Sequence, residues 1–524
     1  MRKLNYKTII KTTLVPLVCL ISFACSSNQI DSESRSTNGD TNTLVKTEYS
    51  RSVVVRNPLN GWVMYARRTA DASYWDTQFY VPDLGKKVNA LDYVSACYIR
   101  TSWSSLNPSD GVYAWNDPNS KLGKLIKGAE DRGVPISFRI VVDGRDQGAN
   151  TPQFVFDAGA KYYLENSSLP ASKTPFPQDP VFKKYYAKFI EALAEKFNDP
   201  DRTAFIDAYG LGKWGEGHNV IYENPNASSG ANTEALKEEV MNWITDLYAR
   251  TFTKVPLVIN YHRVVGDPVS WGTANPNSDK LLAIAINKGY GLRQDAFGMT
   301  DYYQSWEKKY AKTWNYKRPI LMEGGWITTG THRYWIDPSG KYREGHPEDV
   351  RQGEFDSSAE AHVNMMDFRV GEITSWFEQC FSLVQRFNSE GGYRLYPDQV
   401  YLPEKIKTGT EAKITHRWRN MGWGYCPNNL PQWNYKYKVA FALLDAENNV
   451  KKVFVDKDSE PSDWLKDNPK SYDFKTIVDL PAGTYSWAVA IVDTTKDNQP
   501  GIKLAVIKNV TANGWLKLID VHVK

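Results

Sequence analysis

Cysteine is scarce in this chain, and what little there is lies far apart. Five occur in 524 residues, at positions 19, 25, 97, 380 and 426, with no CxxC pair. Cys19 falls in the leader described below and Cys25 directly after it, and the odd number left argues against a disulfide framework. The seven histidines form no HExxH motif and no close pair, which gives a structural or catalytic metal little support. Lys and Arg number 64 against 60 Asp and Glu, and no basic run of five or more appears. That near-balance gives no footing for nucleic acid as a partner. A glycine-rich phosphate loop after the first predicted strand is also missing, which speaks against a dinucleotide-binding sheet. Beyond the leader, no stretch is long and apolar enough to cross a bilayer.

Aromatic residues are what the chain has in plenty: 18 Trp, 31 Tyr and 20 Phe. Their flat apolar faces and polar edges suit the C–H face of a sugar ring, and they serve equally well as filling for a large core. The first residues read as a targeting segment. Arg2, Lys3, Lys7 and Lys11 precede the short apolar run LVPLVCLISF, which ends in SFAC. The stretch resembles a bacterial lipobox, implying cleavage after residue 24 and lipidation of Cys25. Residues 25–54 are polar and aperiodic, and are expected to be a flexible tether. The protein would then work outside the cytoplasm, held at a membrane, with the outer membrane implied.

From residue 55 to 388 short apolar runs alternate with amphipathic segments. Predicted strands are WVMYAR (62–67), YVSACYIRTSW (93–103), VPISFRIVV (134–142), the FIDAYGLGKWGE stretch, VPLVINYH (255–262), the weak DAFGMTDYY, PILM and EITSWFE (372–378). Segments such as DPVFKKYYAKFIEALAEKFND carry apolar residues at helical spacing between them. Eight strands alternating with helices or long connections predict an α/β chain folded as a parallel (β/α)₈ TIM barrel. From 389 to 524 the period changes to two, as in Tyr435, Tyr437, Val439, Phe441 and Leu443, which predicts an antiparallel β-sandwich. The sandwich either binds glycan or braces the barrel.

Two glutamates stand out. Glu216 sits in GLGKWGEGHN, flanked by glycines, and Glu323 follows PILM and precedes Gly-Gly-Trp. On this strand count they close the fourth and seventh strands, at the rim where barrel active sites form. A charge directly after an apolar strand is costly without a purpose. Cleaving a glycosidic bond needs two carboxyl groups, ~5–5.5 Å apart for retention of configuration and ~6.5–9.5 Å for inversion. Glycines around Glu216 would let substrate approach, and partial burial would keep it protonated as an acid.

At these residues the chain resembles the clan A glycoside hydrolases, which carry an acid/base glutamate after strand four and a nucleophilic glutamate after strand seven. RTSWSSLNPSDGVYAW (100–115) is similar to the stretch after strand two of barrel β-galactosidases. NPLNGW, GLGKWGEGH and GGYRLYP also resemble a family of bacterial lipoproteins in which such a barrel precedes a sandwich. The resemblance implies a hydrolase of a β-linked oligo- or polysaccharide by a retaining mechanism, with no cofactor, Glu216 as acid/base and Glu323 as nucleophile. One departure is Gly215, which stands where the clan has an asparagine touching the sugar 2-OH. Either Asn260 or His262 takes that contact, or substrate or mechanism differs. Further expected substrate contacts are Arg100, Trp103, Arg139, Trp214, His218, Asp301, Tyr302, Trp326 and Trp376, and a hydroxyl of Tyr302 or Tyr303 is expected to hydrogen-bond the nucleophile. Arg100 and Arg139 would hold the nucleophile ionised, bind an acidic sugar, or simply pair ions within the fold. Rival readings are an inverting hydrolase, a glycan-binding protein without catalysis and an adhesive surface protein acting through its sandwich. Burial of either glutamate in a salt bridge would favour the glycan-binding reading.

Overall fold

The computed structural model describes residues 32–37, 40–67, 70, 72–144, 148–164, 172–223, 231–268, 272, 275, 277–299, 302–327 and 340–524. Eight parallel strands close into a barrel: β1 (Gly61–Arg67), β2 (Val94–Ser102), β3 (Ile136–Val141), β4 (Thr203–Asp207), β5 (Leu257–Asn260), β6 (Gly291–Gln294), β7 (Ile320–Met322) and β8 (Met365–Phe368). Each pairs with its sequence neighbours, and β8 closes on β1. Among the described residues, six of the seven connections carry an α-helix, and two more helices follow β8. The connection after β1 is instead a 3₁₀ turn, Ala72–Asp76, and a short hairpin of Gln78–Val81 with Lys86–Asn89.

The helix after β3 shows how local sequence sets these elements. Asp179 caps its first turn by accepting the Phe182 N–H at 2.8 Å, and Pro180 occupies the first helical position. Phe182, Tyr186, Phe189, Ile190, Leu193 and Phe197 then recur on one face and are all buried. Each such side chain adds roughly 1.5–3 kcal/mol of burial, enough together to outweigh the β-branched and aromatic residues' modest helix propensity.

Two strands differ from expectation. The sixth is GLRQ, which the sequence pattern assigns to the end of a helix, and residues 295–299, expected to begin a strand, follow it as a loop. The eighth is MMDF, also expected to be helical, whereas Ile373–Glu378 is a helix and not the last strand. In both true strands an inward-facing charge, Arg293 or Asp367, interrupts the apolar run.

The sandwich follows the expected pattern. One sheet pairs Leu395–Pro403, Thr410–Asn420 and Lys470–Val478. The other is built on Tyr437–Leu444, Val450–Asp456, Gly483–Asp493 and Leu516–Val523. The N-terminal segment departs from the flexible tether expected over 25–54. Asp40–Lys46 forms a strand antiparallel to Leu395–Pro403, and Leu44 and Val45 are buried there. Leu44 and Val45 supply the apolar surface that the polar residues around them lack, and being adjacent they point to opposite faces of the sheet.

The sandwich packs under the N-terminal end of the barrel. Val63, Ala96, Phe205, Val258, Leu321 and Met365 fill the lower barrel and belong to one apolar cluster with sandwich residues such as Leu395, Trp433 and Tyr437. A cleft of about 360 Å³ lies at this seam, lined by Ser95, Pro135, Thr203, Trp433 and Asp493 among others. The opposite, C-terminal end of the strands is therefore the mouth.

Candidate active site at the barrel mouth

Strand alternation points every second residue into the barrel. One turn of the interior above the apolar floor, those residues are Tyr65, Tyr98, Arg139, Asp207, Asn260, Arg293, Glu323 and Asp367, all buried. Arg139 is the hub. Its Nε donates to Asp207 Oδ2 at 2.7 Å, its Nη1 to Glu216 Oε1 at 3.0 Å and its Nη2 to Glu323 Oε2 at 2.8 Å. Arg293 approaches the same Glu323 oxygen at 3.3 Å and donates to Asp367 Oδ2 at 2.7 Å. Arg369 donates to Asp295 Oδ1 at 2.7 Å and lies 3.6 Å from Glu323 Oε1, while Arg100 lies 3.7 Å from Glu216 Oε1. Four guanidiniums thus face five carboxyl groups.

Glu216 does not end β4. It lies on a loop that leaves the strand at Asp207 and returns across the mouth. The turns need left-handed backbone. Gly215 has φ of +77°, and a Cβ there would sit 3.3 Å from the Arg139 side chain. The positive φ and that close contact both favour glycine here. Trp214 itself adopts φ of 57°, a strained value for a side-chain-bearing residue and one that clusters at functional sites. His262 fixes the loop from below. Its Nε2 donates to the Glu216 carbonyl at 2.7 Å while its Nδ1 accepts the Val264 N–H at 3.3 Å. Burial, with His218 adding to it, lowers the His262 pKa to about 3, so the ring stays neutral.

Glu323 is held just as firmly. The loop after it hangs on three buried carboxylates: Gly324 N–H donates to Asp367, Gly325 N–H to Glu354 and Ile327 N–H to Glu372. Gly325 is required because a Cβ would meet the Met299 sulfur at 1.7 Å.

Carboxylate oxygens of Glu216, Asp295 and Glu323 all lie within 4.8 Å of one another. Their protonation preferences diverge. Burial pushes Glu216 up to about 7, with Arg139 opposing and Glu323 adding to the rise. Burial would raise Glu323 too, but Arg139, Arg293, Arg369 and Arg100 outweigh it and hold that carboxyl well below the usual range. Burial, then the Glu216 charge, pushes Asp295 up to about 7. Adjacent carboxyl groups with opposed preferences mark an acid and a nucleophile or base. The same trio offers oxygen ligands to a cation, but guanidiniums already sit against each member, so the chemistry of the site is that of an ion-pair lattice.

The sequence-predicted residues divide cleanly. Glu216, Glu323, Arg100 and Arg139 come together as above. His218 places its Nε2 3.5 Å from Glu216 Oε2, and Trp214, half-buried, meets the His218 ring edge-on at 5.7 Å. Lys213 covers the Trp214 face at 4.2 Å. Asn260 points into the barrel, and its buried amide has no hydrogen-bond partner among the described residues. Trp326 is exposed just beyond Glu323. Trp103 is not a substrate contact: it is fully buried outside the barrel wall against Tyr186 and Phe189. Trp376 is likewise core, edge-on to Trp62 on the short helix after β8. Tyr302 packs among Ala296, Met299, Ile327 and Tyr342, and Tyr303 lies 3.5 Å from the Tyr261 hydroxyl rather than at the nucleophile. Asp301 and Cys25 lie outside the described residues. Asp295, Arg293, Arg369, Asp207 and Asp367 were not anticipated. The runs RQD (293–295) and DFR (367–369) carry four of them, and correct placing of β6 and β8 would have put both runs at the rim; Asp207 ends β4.

A scan against protein-family models and a search of curated proteins both returned no match, so the likeness to a lipoprotein family has no support there. Solved structures give distant matches. Endo-glycoceramidase II from Rhodococcus sp., in complex with a five-membered iminocyclitol, is 12% identical over 82% of this chain and 100% of its own, with a TM-score of 0.35. An endo-beta-1,4-mannanase from Thermotoga petrophila is 12% identical over 90% of this chain and 98% of its own, at 0.36. The endoglucanase Cel5A of Pseudomonas stutzeri is 10% identical over 56% of this chain and 81% of its own, at 0.29. What the chain shares with these glycoside hydrolases is distant similarity, too slight to bear on its reaction. The fold and site by themselves define a TIM-barrel protein with a charged mouth and a sandwich at its base.

Proposed function

We propose that this protein is a retaining glycoside hydrolase acting on a β-linked glycan, with Glu216 as acid/base and Glu323 as nucleophile. The observation that carries the reading is the pair itself: glutamate oxygens within 4.8 Å of each other at the barrel mouth, one carboxyl held protonated and the other ionised. Nearest oxygens that close put both carboxyl groups within reach of one glycosidic bond, and the retaining reading takes them as the close pair. In the first step a Glu323 oxygen bonds to the anomeric carbon as the glycosidic C–O bond breaks, and the leaving oxygen takes the Glu216 proton. In the second, water attacks the anomeric carbon, its proton passes to Glu216, and the Glu323 ester bond breaks. Arg139 serves both steps. Negative charge leaves Glu323 as the ester forms and appears on Glu216 as the proton departs, and one guanidinium spans both oxygens. No large reorganisation is then needed to follow the charge.

A second reading is favoured by one specific observation. Both glutamates are fully buried in ion pairs with Arg139, which is the arrangement of a barrel that grips glycan without cutting it. Hydrolysis of a panel of nitrophenyl glycosides and polysaccharides separates the two. Glu216→Gln and Glu323→Gln should each lose ~10³-fold or more on a substrate the wild type cuts. Near-normal rates in either variant would remove the assignment, and binding without cleavage by the wild type would establish the gripping barrel. The proposed setting is outside the cytoplasm, at the outer membrane, through a lipidated Cys25. Metabolic labelling with a fatty-acid analogue, compared with Cys25→Ala, tests it.

A further inference from the structure

Two of the four mouth arginines are not used up by the lattice. Arg100 and Arg369 lie at the upper ends of β2 and β8, and each side chain keeps 13% of its surface exposed where Arg139 and Arg293 keep almost none. Arg100 makes no hydrogen bond among the described residues; its contacts are Glu216 at 3.7 Å and the face of Tyr65 at 5.8 Å. Arg369 uses Nη1 for Asp295 and the Gly324 carbonyl, and lies 5.9 Å from the same Tyr65 ring. The two guanidiniums therefore share one aromatic ring. The Tyr65 hydroxyl is buried and has no partner among the described residues. A bound acceptor would give it the hydrogen bond it lacks.

We propose that Arg100 and Arg369, set across Tyr65, receive an oxyanion, so that the glycan taken here carries a carboxylate or a sulfate on the sugar beside the scissile bond. The inference rests on the reading of Glu216 and Glu323 as the reacting pair. Arginine forks match planar carboxylate and sulfate oxygens with paired donors, and the hydroxyl of the ring they share offers a further one. Charge agrees with this. Four guanidiniums balance four carboxylates once Glu216 carries its catalytic proton, and a proton on Asp295 as well leaves the mouth cationic. A neutral sugar could answer the Arg100 donors and the Tyr65 hydroxyl with hydroxyl oxygens, but would bring no charge to match the guanidiniums.

The test compares matched nitrophenyl β-glycosides: neutral, uronic and 6-sulfated, with kcat/KM measured for wild type, Arg100→Gln, Arg100→Lys and Tyr65→Phe. In parallel, calorimetry follows binding of the corresponding methyl glycosides to wild type, Glu216→Gln and Arg100→Gln. A preference of about 100-fold or more for one acidic member is expected, and which member wins separates carboxylate from sulfate. Arg100→Gln should collapse the acidic-to-neutral ratio, Arg100→Lys should retain part of it and Tyr65→Phe should reduce it. A merely structural role would lower both rates alike and leave the ratio unchanged, which would overturn the proposal. Equal or better cleavage of the neutral member would overturn it while leaving the hydrolase reading intact. Arg100-dependent binding of an acidic glycoside without any cleavage would uphold the oxyanion site and remove the hydrolase reading. Neither binding nor cleavage of any acidic member would overturn the proposal outright.

Discussion

Two layers of side chains fill the barrel. They stand on the same eight strands, two residues apart, and they are opposites. The lower layer, from Val63 to Met365, is apolar and continues into the sandwich core. The upper layer is a lattice of arginines and acids with almost no apolar member. The lower layer stabilises through area removed from water, a diffuse effect with many exchangeable contributors. The upper layer spends stability, because burying charges costs several kcal/mol each before pairing returns it. A chain that needed only a stable barrel could have continued the lower pattern upward. Charge maintained at such cost at the strand C-termini is the mark of chemistry or recognition.

The largest expected effect breaks the upper layer at its hub. Arg139→Met leaves Asp207, Glu216 and Glu323 without their shared partner, and should cost about 3–5 kcal/mol in urea unfolding. The matching change below, Leu321→Met, should cost less than about 1.5 kcal/mol, because volume and polarity are kept. Next comes pH. Glu216, raised from 4.5 to about 7, and Asp295, raised from 3.8 to about 7, hold protons more tightly folded than unfolded. Their contribution is full below the unfolded values and is lost as pH rises through 7, so the urea midpoint should fall between about pH 5 and 7. Glu323, depressed, acts oppositely and contributes at pH values above its unfolded 4.5. In activity the same protonation should give a basic limb near pH 7 for kcat/KM on a cleaved substrate. Smaller again is Val45→Ala in the N-terminal strand, at about 1–2 kcal/mol for two lost buried methyl groups. The smallest is Arg417→Ala. Its pair with Asp398 at 2.7 Å is half-exposed, so the loss should stay below about 1 kcal/mol and shrink with salt.

The same contrast explains what could be read from the sequence. Strands such as PILM and VPISFRIV announce themselves because their apolar residues satisfy both faces. The strands GLRQ and MMDF were masked by the very residues that make the mouth, since Arg293 and Asp367 look like helix or loop residues when their partners on other strands are unknown. Glu216 and Glu323 were legible because glycines frame them. Trp103 and Trp376 were misplaced for a different reason: both lie near strand ends, but one lies behind the wall and the other follows β8 on a helix, and sequence spacing does not give the direction of a ring. The hub role of Arg139 depends on three acids from three separate elements, which no local pattern contains.

The short strand Asp40–Lys46 has a mechanical consequence. It is zipped along Leu395–Pro403, on the sandwich that sits beneath the barrel, and the mouth opens at the other end. A pull on the chain ahead of it would be carried by that zipper into the base of the molecule. The load path bypasses the eight strands, and the lattice of Arg139 would keep its geometry while the molecule is dragged or held by its leading end.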